Sequence, residues 1–169
     1  MSWYSEFKDE WKEIIETVAR EERRSTLMVE KDTIQSMFLF RIANSKLPFV
    51  FKGGTSLSKC YDAIARFSED IDLSMNHNPS ESKRRESKEI ILEIGNELGL
   101  IIDNLDEIKS RYDYNKYIFK YDSLFADGLQ EIIVETNYYQ SSYPVEEINV
   151  NSIIGRFCEE RDIVLPITF

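Results

Sequence analysis

The sequence predicts an α+β fold in which a mixed β-sheet is flanked by helices and preceded by a helical pair. Apolar residues recur at helical spacing through the N-terminal quarter, short β-branched and aromatic runs then alternate with helix patterns, and strand-like runs dominate after Leu100. With 169 residues, 42% of them apolar, there is material for one good core. Residues 1–45 are therefore expected to pack as helices on a 46–169 core within one compact domain.

From Trp3, the residues Phe7, Trp11, Ile14 and Val18 follow at steps of four, four, three and four, which predicts an amphipathic helix over residues 2 to about 24. Ile34, Met37, Phe38 and Ile42 predict a second helix from about Glu30 to Ala43. Both stripes read as core. Leu47 to Lys52, bounded by Pro48 and Gly53, reads as a strand. Thr55 or Ser56 is placed to cap a helix running to about Ile64, and Ile71 to Met75 forms the next strand. Ser80 caps a helix to Leu98 whose second half carries Ile90, Ile91, Ile94 and Leu98. Strands are then expected at Ile101 and Ile102, Lys116 to Tyr121, Glu131 to Tyr139, and Asp162 to Phe169, the last at an edge because of Pro166.

The 21 Lys and Arg against 31 Asp and Glu give a net charge of −10, which excludes uniform attraction to nucleic acid or an anionic membrane. A nucleic-acid substrate would need a local basic patch or a basic partner, and Lys83, Arg84, Arg85 and Lys88 are the densest basic cluster. Cys60 and Cys158 lack CxxC spacing and read as ordinary thiols of a reducing compartment. No apolar run approaches a membrane span and no signal peptide is recognisable, so a cytoplasmic protein with no membrane partner is expected. His77, the single histidine, lies in an Asn- and Pro-containing turn, which leaves little for histidine-based catalysis or a zinc site.

Asp70 and Asp72 are two apart at the start of a strand, so their carboxylates share a face while Ile71 and Leu73 take the other. Adjacent anions repel, and a divalent cation is the simplest compensation; Mg²⁺ typically takes one or two carboxylates together with substrate phosphates. Glu135 interrupts the apolar run Ile132, Ile133 and Val134 and is the best third carboxylate, ahead of Glu131 and Asp127. Gly53 and Gly54 end a strand and open a helix, a position where backbone amides and the helix dipole favour an anion, with Thr55 and Ser56 adding hydroxyls. The Walker A spacing is absent, and the glycines alone are equally consistent with a plain strand-to-helix turn. An EF-hand loop beginning at Asp70 is disfavoured because Met75 stands where glycine is needed and Pro79 falls inside the loop.

Lys52 to Lys59, KGGTSLSK, followed by Arg66 to Leu73, RFSEDIDL, resembles the AbiEii/AbiGii toxin family of nucleotidyltransferases within the DNA polymerase β-like superfamily. The resemblance runs from Leu47 to Glu135 and more loosely to the end. It implies a polymerase β-like nucleotidyltransferase core, an NTP donor, Mg²⁺ or Mn²⁺ as cofactor, tRNA as acceptor, and a role as the toxin of an abortive-infection or toxin–antitoxin pair with a cognate antitoxin. By position, Gly53, Gly54, Thr55 and Ser56 would hold the triphosphate and Lys59 would reach a phosphate. Asp70, Asp72 and Glu135 would form the metal-binding and catalytic carboxylate set, with Lys52, Arg66 and Ser68 in support. The resemblance also implies a helical second half, with a further lysine and acidic residue, expected to be missing from a chain ending at Phe169. That motivates an alternative: a catalytically incomplete nucleotide- or partner-binding module. A purely structural arrangement would instead leave the Asp pair well separated from Gly54.

Overall fold

A computed structural model describes residues 6–61, 69–75, 78–139 and 144–161. Their helices are α1 (Lys8–Glu21), α2 (Thr26–Ala43), α3 (Gly53–Tyr61), α4 (Glu81–Glu97) and α5 (Ile153–Glu159). The strands are β1 (Phe49–Lys52), β2 (Asp70–Met75), β3 (Ile101–Ile102), β4 (Tyr114–Asp122) and β5 (Leu129–Asn137), in the sheet order β1-β2-β5-β4-β3. Only the β2–β5 pair is parallel; the others are antiparallel. The fold is thus α+β around a mixed sheet, as the periodicities predict.

Strand alternation divides the sheet into two unlike faces. Ile71, Leu73, Tyr117, Phe119, Ile132 and Val134 point into one buried cluster with Trp11 and Ile15 of α1, Phe38 of α2, Ile91 of α4 and Phe157 of α5. The other face carries Asp70, Asp72, Lys116, Ile118, Ile133 and Glu135, all half-exposed. One face is core and the other is partly open. No helix among the described residues is long and apolar enough to cross a membrane.

Local signals account for most boundaries. Ser80 accepts from the Lys83 amide at the start of α4, as expected of an N-cap. Ser25 does the same for α2 through Met28, so that helix begins four residues before the expected Glu30. The first helix begins at Lys8, and residues 1–5 lie outside the described set. The predicted strand at 162–169 also lies outside it, as does His77. Helix α3 opens at Gly53, ahead of the predicted caps, because Gly53 has φ +78° and turns the chain straight from β1 into the helix. Helix α5 was not expected. It is a seven-residue helix capped by Ser152, and its Ile153-Ile154 start is too short an apolar run to distinguish from a strand by pattern.

Helix α2 is more buried than its apolar stripe requires, since Glu30, Asp32, Thr33, Gln35 and Ser36 are all buried too. Each charged member has work there. Glu30 accepts from the Ser123 hydroxyl at 2.6 Å and the Leu124 amide at 2.7 Å, pinning the β4–β5 connection. Asp32 pairs with Lys59 of α3 and accepts from the Ile153 amide at 2.8 Å, joining three helices at one carboxylate. Cys60 is half-buried and Cys158 buried, and burial raises both thiols above their ordinary range, in keeping with unreactive cysteines.

Candidate active site

The open sheet face carries a row of four charged residues. Lys52 of β1 pairs in register with Asp72 of β2, Asp72 with Glu135 of β5, and Glu135 with Lys116 of β4. Adjacent strands lie about 4.8 Å apart, so two carboxylates sit side by side with a lysine beyond each. Asp70 lies two residues before Asp72 on the same strand and completes a cluster of three acids. Their proximity has an electrostatic signature. Partial burial, followed by repulsion from Glu135, raises the Asp70 carboxyl above its usual range. Asp72 is raised for the same two reasons in the same order, with Asp70 adding a further repulsion and Lys52 opposing it.

Four contacts fix where these acids stand. Gln35 of α2 donates to the Glu69 carbonyl at 2.7 Å, and Lys31 bridges the Glu69 carboxylate at 2.8 Å, so α2 holds the entry to β2. The Thr55 hydroxyl donates to the Asp70 carbonyl, tying the first turn of α3 to the same point. Gly53 lies directly against the Asp72 side chain: a Cβ there would overlap the Asp72 Oδ2. The glycine turn and the acid pair are therefore in contact, which rules out the widely separated arrangement of a plain turn and an unrelated edge. Because Asp70 to Met75 is a strand, the EF-hand alternative is also excluded.

The residues expected around a triphosphate divide into two groups. Gly53, Gly54 and Lys52 lie at the β1–α3 turn beside Asp72. Thr55, Ser56 and Lys59 have internal partners. Thr55 serves the Asp70 carbonyl, and Ser56 donates to the Gly53 carbonyl at 2.8 Å, closing the first helical turn. The Lys59 ammonium, 4% exposed, is enclosed by Asp32 and by the Ser36 hydroxyl at 2.8 Å. Lys59, expected to reach a phosphate, is thus held inside the fold, and withdrawing it would strand Asp32 as an unpaired buried charge. Arg66 and Ser68 lie outside the described residues.

Two residues not singled out by sequence join the site from β4. The Tyr114 hydroxyl donates to the Glu135 Oε1 at 2.9 Å, and the Lys116 ammonium lies 3.9 Å from the same oxygen. Partial burial and then the Glu135 bond push the Tyr114 phenol up to about 12, so it is a donor throughout the physiological range. The detectable signal was the alternation of β4, which puts Tyr114 and Lys116 on the open face; which acid they would meet depended on register.

Among the described residues, no group of three or more His, Cys, Asp or Glu side chains is arranged to hold a metal ion. The donor set nonetheless suits a hard divalent cation of the Mg²⁺ type, since such ions take one or two carboxylates and complete their shell with water and substrate phosphate. Partial burial and then repulsion from Glu135 raise Asp70 and Asp72, and the repulsive part is what a cation would relieve. A cavity of about 690 Å³ between β1, α2 and residues 145–150 contains none of the three acids, so the site is an open sheet face beside a turn.

Residues 37–167 match the family described as nucleotidyl transferase AbiEii toxin, type IV TA system. The fold is similar to JHP933 from Helicobacter pylori, at 19% identity and a TM-score of 0.53, over 81% of this chain and 56% of that one. It is also similar to a candidate nucleotidyltransferase from H. pylori, at 18% identity and a TM-score of 0.51, over 81% of this chain and 58% of that one. The chain thus spans a little over half the length of either structure. Among curated proteins, none matches the sequence.

Proposed function

The chain belongs to the AbiEii nucleotidyl transferase toxin family of type IV toxin–antitoxin systems, and from that premise we propose a Mg²⁺-dependent transfer of a nucleotide from an NTP to an acceptor hydroxyl, with tRNA as the acceptor. The observation that carries the proposal is the contact of the Gly53 turn with Asp72, in register with Glu135. A triphosphate seated on the Gly53–Gly54 amides would lie against the acid pair, with Lys52 flanking its negative charge. Asp70 and Asp72, joined by Glu135, would hold the cation. The chemistry such an ion supplies is neutralisation of charge on the triphosphate and the departing pyrophosphate.

The acceptor oxygen forms a new bond to the α-phosphorus while the bond from that phosphorus to the bridging oxygen of the β-phosphate breaks. Pyrophosphate leaves with the electron pair, and Glu135 takes the proton of the attacking hydroxyl. The protein's contribution is positioning and preorganised charge. A cognate antitoxin partner follows from the same family premise.

The test is transfer of label from an α-labelled NTP to RNA or protein in the presence of Mg²⁺. Labelling by the wild-type chain and loss of at least ~100-fold in Asp70→Asn is the expected result, on the scale of removing a main electrostatic element of a site. Equal labelling by both proteins would sink the proposal. A second reading, a nucleotide- or partner-binding module without turnover, is favoured by one observation: Thr55, Ser56 and Lys59 are turned to internal partners. Saturable NTP binding without product would select it.

A further inference from the structure

The loop entering β4 differs in character from the rest of this acidic chain. Within Lys109 to Lys116, cations and aromatic rings succeed one another as Lys109, Arg111, Tyr112, Tyr114 and Lys116. Tyr112 and Tyr114 are 45% and 46% exposed, which leaves both large aromatic residues open to solvent. The Arg111 guanidinium lies over the Tyr112 ring, 5.6 Å from its centroid. Among the described residues, no carboxylate pairs with Lys109 or Arg111.

The one acid within the segment, Asp113, is neutralised from behind by Arg84 of α4 at 2.5 Å. The same contact explains what becomes of the basic cluster at the start of α4. Arg84 is occupied by Asp113 and by the Asn78 side chain, and Lys88 donates to the Ile108 carbonyl at 3.0 Å. Both brace the loop that carries Arg111. A groove of about 610 Å³ lies between α4 and this loop, lined by Lys88, Lys109 and Arg111, with Asp106 as its one acid and Leu105 and Ile108 among its apolar walls.

The strip leads to the reacting end of the site. Its last members, Tyr114 and Lys116, both contact Glu135. In the sheet order, the glycine turn flanks the acids from β1 and this strip flanks them from β4, so donor and acceptor have separate approaches. Cations beside exposed rings are the chemistry that holds an unpaired nucleic-acid strand, through backbone charge and base stacking, with little demand on sequence.

We propose that Lys109 to Lys116 is the track along which the end of a single-stranded nucleic acid reaches Glu135. The inference rests on reading Asp70, Asp72 and Glu135 as the catalytic acids, and the experiment separates the two. Fluorescence anisotropy would follow a short labelled RNA with a free 3′-hydroxyl, and the DNA of the same sequence, binding to wild type, Arg111→Glu, Tyr112→Ala and Tyr112→Phe at two salt concentrations. Wild type should bind one or both strands. Arg111→Glu and Tyr112→Ala should each weaken binding about tenfold, Tyr112→Phe no more than about twofold, and Arg111→Glu should flatten the salt dependence by roughly 0.7 in slope. The RNA and DNA arms decide which sugar is accepted.

Wild-type binding of Mg²⁺ and NTP is measured alongside by calorimetry. Nucleotide binding without binding of either strand, or strand binding indifferent to both positions, overturns the track while leaving the catalytic reading intact; the first outcome would point to a protein acceptor. Strand binding that depends on Arg111 and Tyr112, with no nucleotide binding, keeps the surface and removes the reading on which its role depends.

Discussion

Gly53 and Asp72 occupy space that only a residue without a side chain could share. At φ +78° an alanine is strained by roughly 1–2 kcal/mol, and its Cβ would overlap the Asp72 carboxylate besides. Gly53→Ala should therefore lose roughly 1–3 kcal/mol in urea unfolding and weaken nucleotide binding at least about tenfold in calorimetry; a variant that binds as well as wild type would contradict a phosphate role for the turn. The acids make a second prediction. Asp70 and Asp72 are held above their usual range, so as pH rises past about 4 the unfolded chain releases these protons before the folded one does. Their contribution to stability is therefore lost as pH climbs from the unfolded value through the raised folded one. Asp72→Asn should raise the thermal midpoint of the metal-free protein at pH 7, by no more than about 2 °C because both groups are half-exposed and screened, and this gain should vanish below the carboxylate range. A fall in midpoint at pH 7 would show that the acids do not repel in the folded state.

Helix α3 carries the glycine turn at one end and the buried Lys59 pair further along, so its tie to Asp32 of α2 also bears on where that turn sits. Lys59→Met would leave Asp32 charged, buried and bonded only to a backbone amide, a change of about 3–5 kcal/mol in the unfolding free energy. Urea unfolding measures it, and a loss below about 1 kcal/mol would mean the pair is not buried in solution. Sequence gave no route to this role. A lysine one turn after Ser56 in a glycine-opened helix reads as a phosphate ligand, and its true partner is an aspartate that helical spacing alone assigns to the exposed side of α2. The same limit applies to α5, whose few apolar residues suit a strand equally well until the core is seen to accept them on one side of a single helix. By contrast, α4, β2, β4 and β5 were legible, and α2 was legible in its apolar stripe though not in its Ser25 start, because the Ser80 cap, helical spacing and alternation are properties of neighbouring residues.

At the level of the whole molecule, a chain of net charge −10 gathers three acids on one sheet face and sets lysines at both ends of the row. Ligand that binds only the folded state stabilises it by mass action, so Mg²⁺ with NTP at about 100 times its dissociation constant should add about 2.7 kcal/mol, roughly 5–10 °C in thermal midpoint for a domain of this size. The increase should disappear in Asp72→Asn; an equal shift in that variant would place nucleotide binding elsewhere. The sequence by itself determined the α+β class, the acid pair on one strand face, and the glycine turn that opens a helix, since each follows from residues within a few positions of one another. Tertiary structure alone decided that Gly53 touches Asp72, that Glu135 stands beside it, that Lys59 belongs to Asp32, and that Tyr114 and Lys116 border the acids. Those pairings join segments far apart in the chain. They depend on strand register and helix packing, which arise when the core closes and are not encoded in any short stretch.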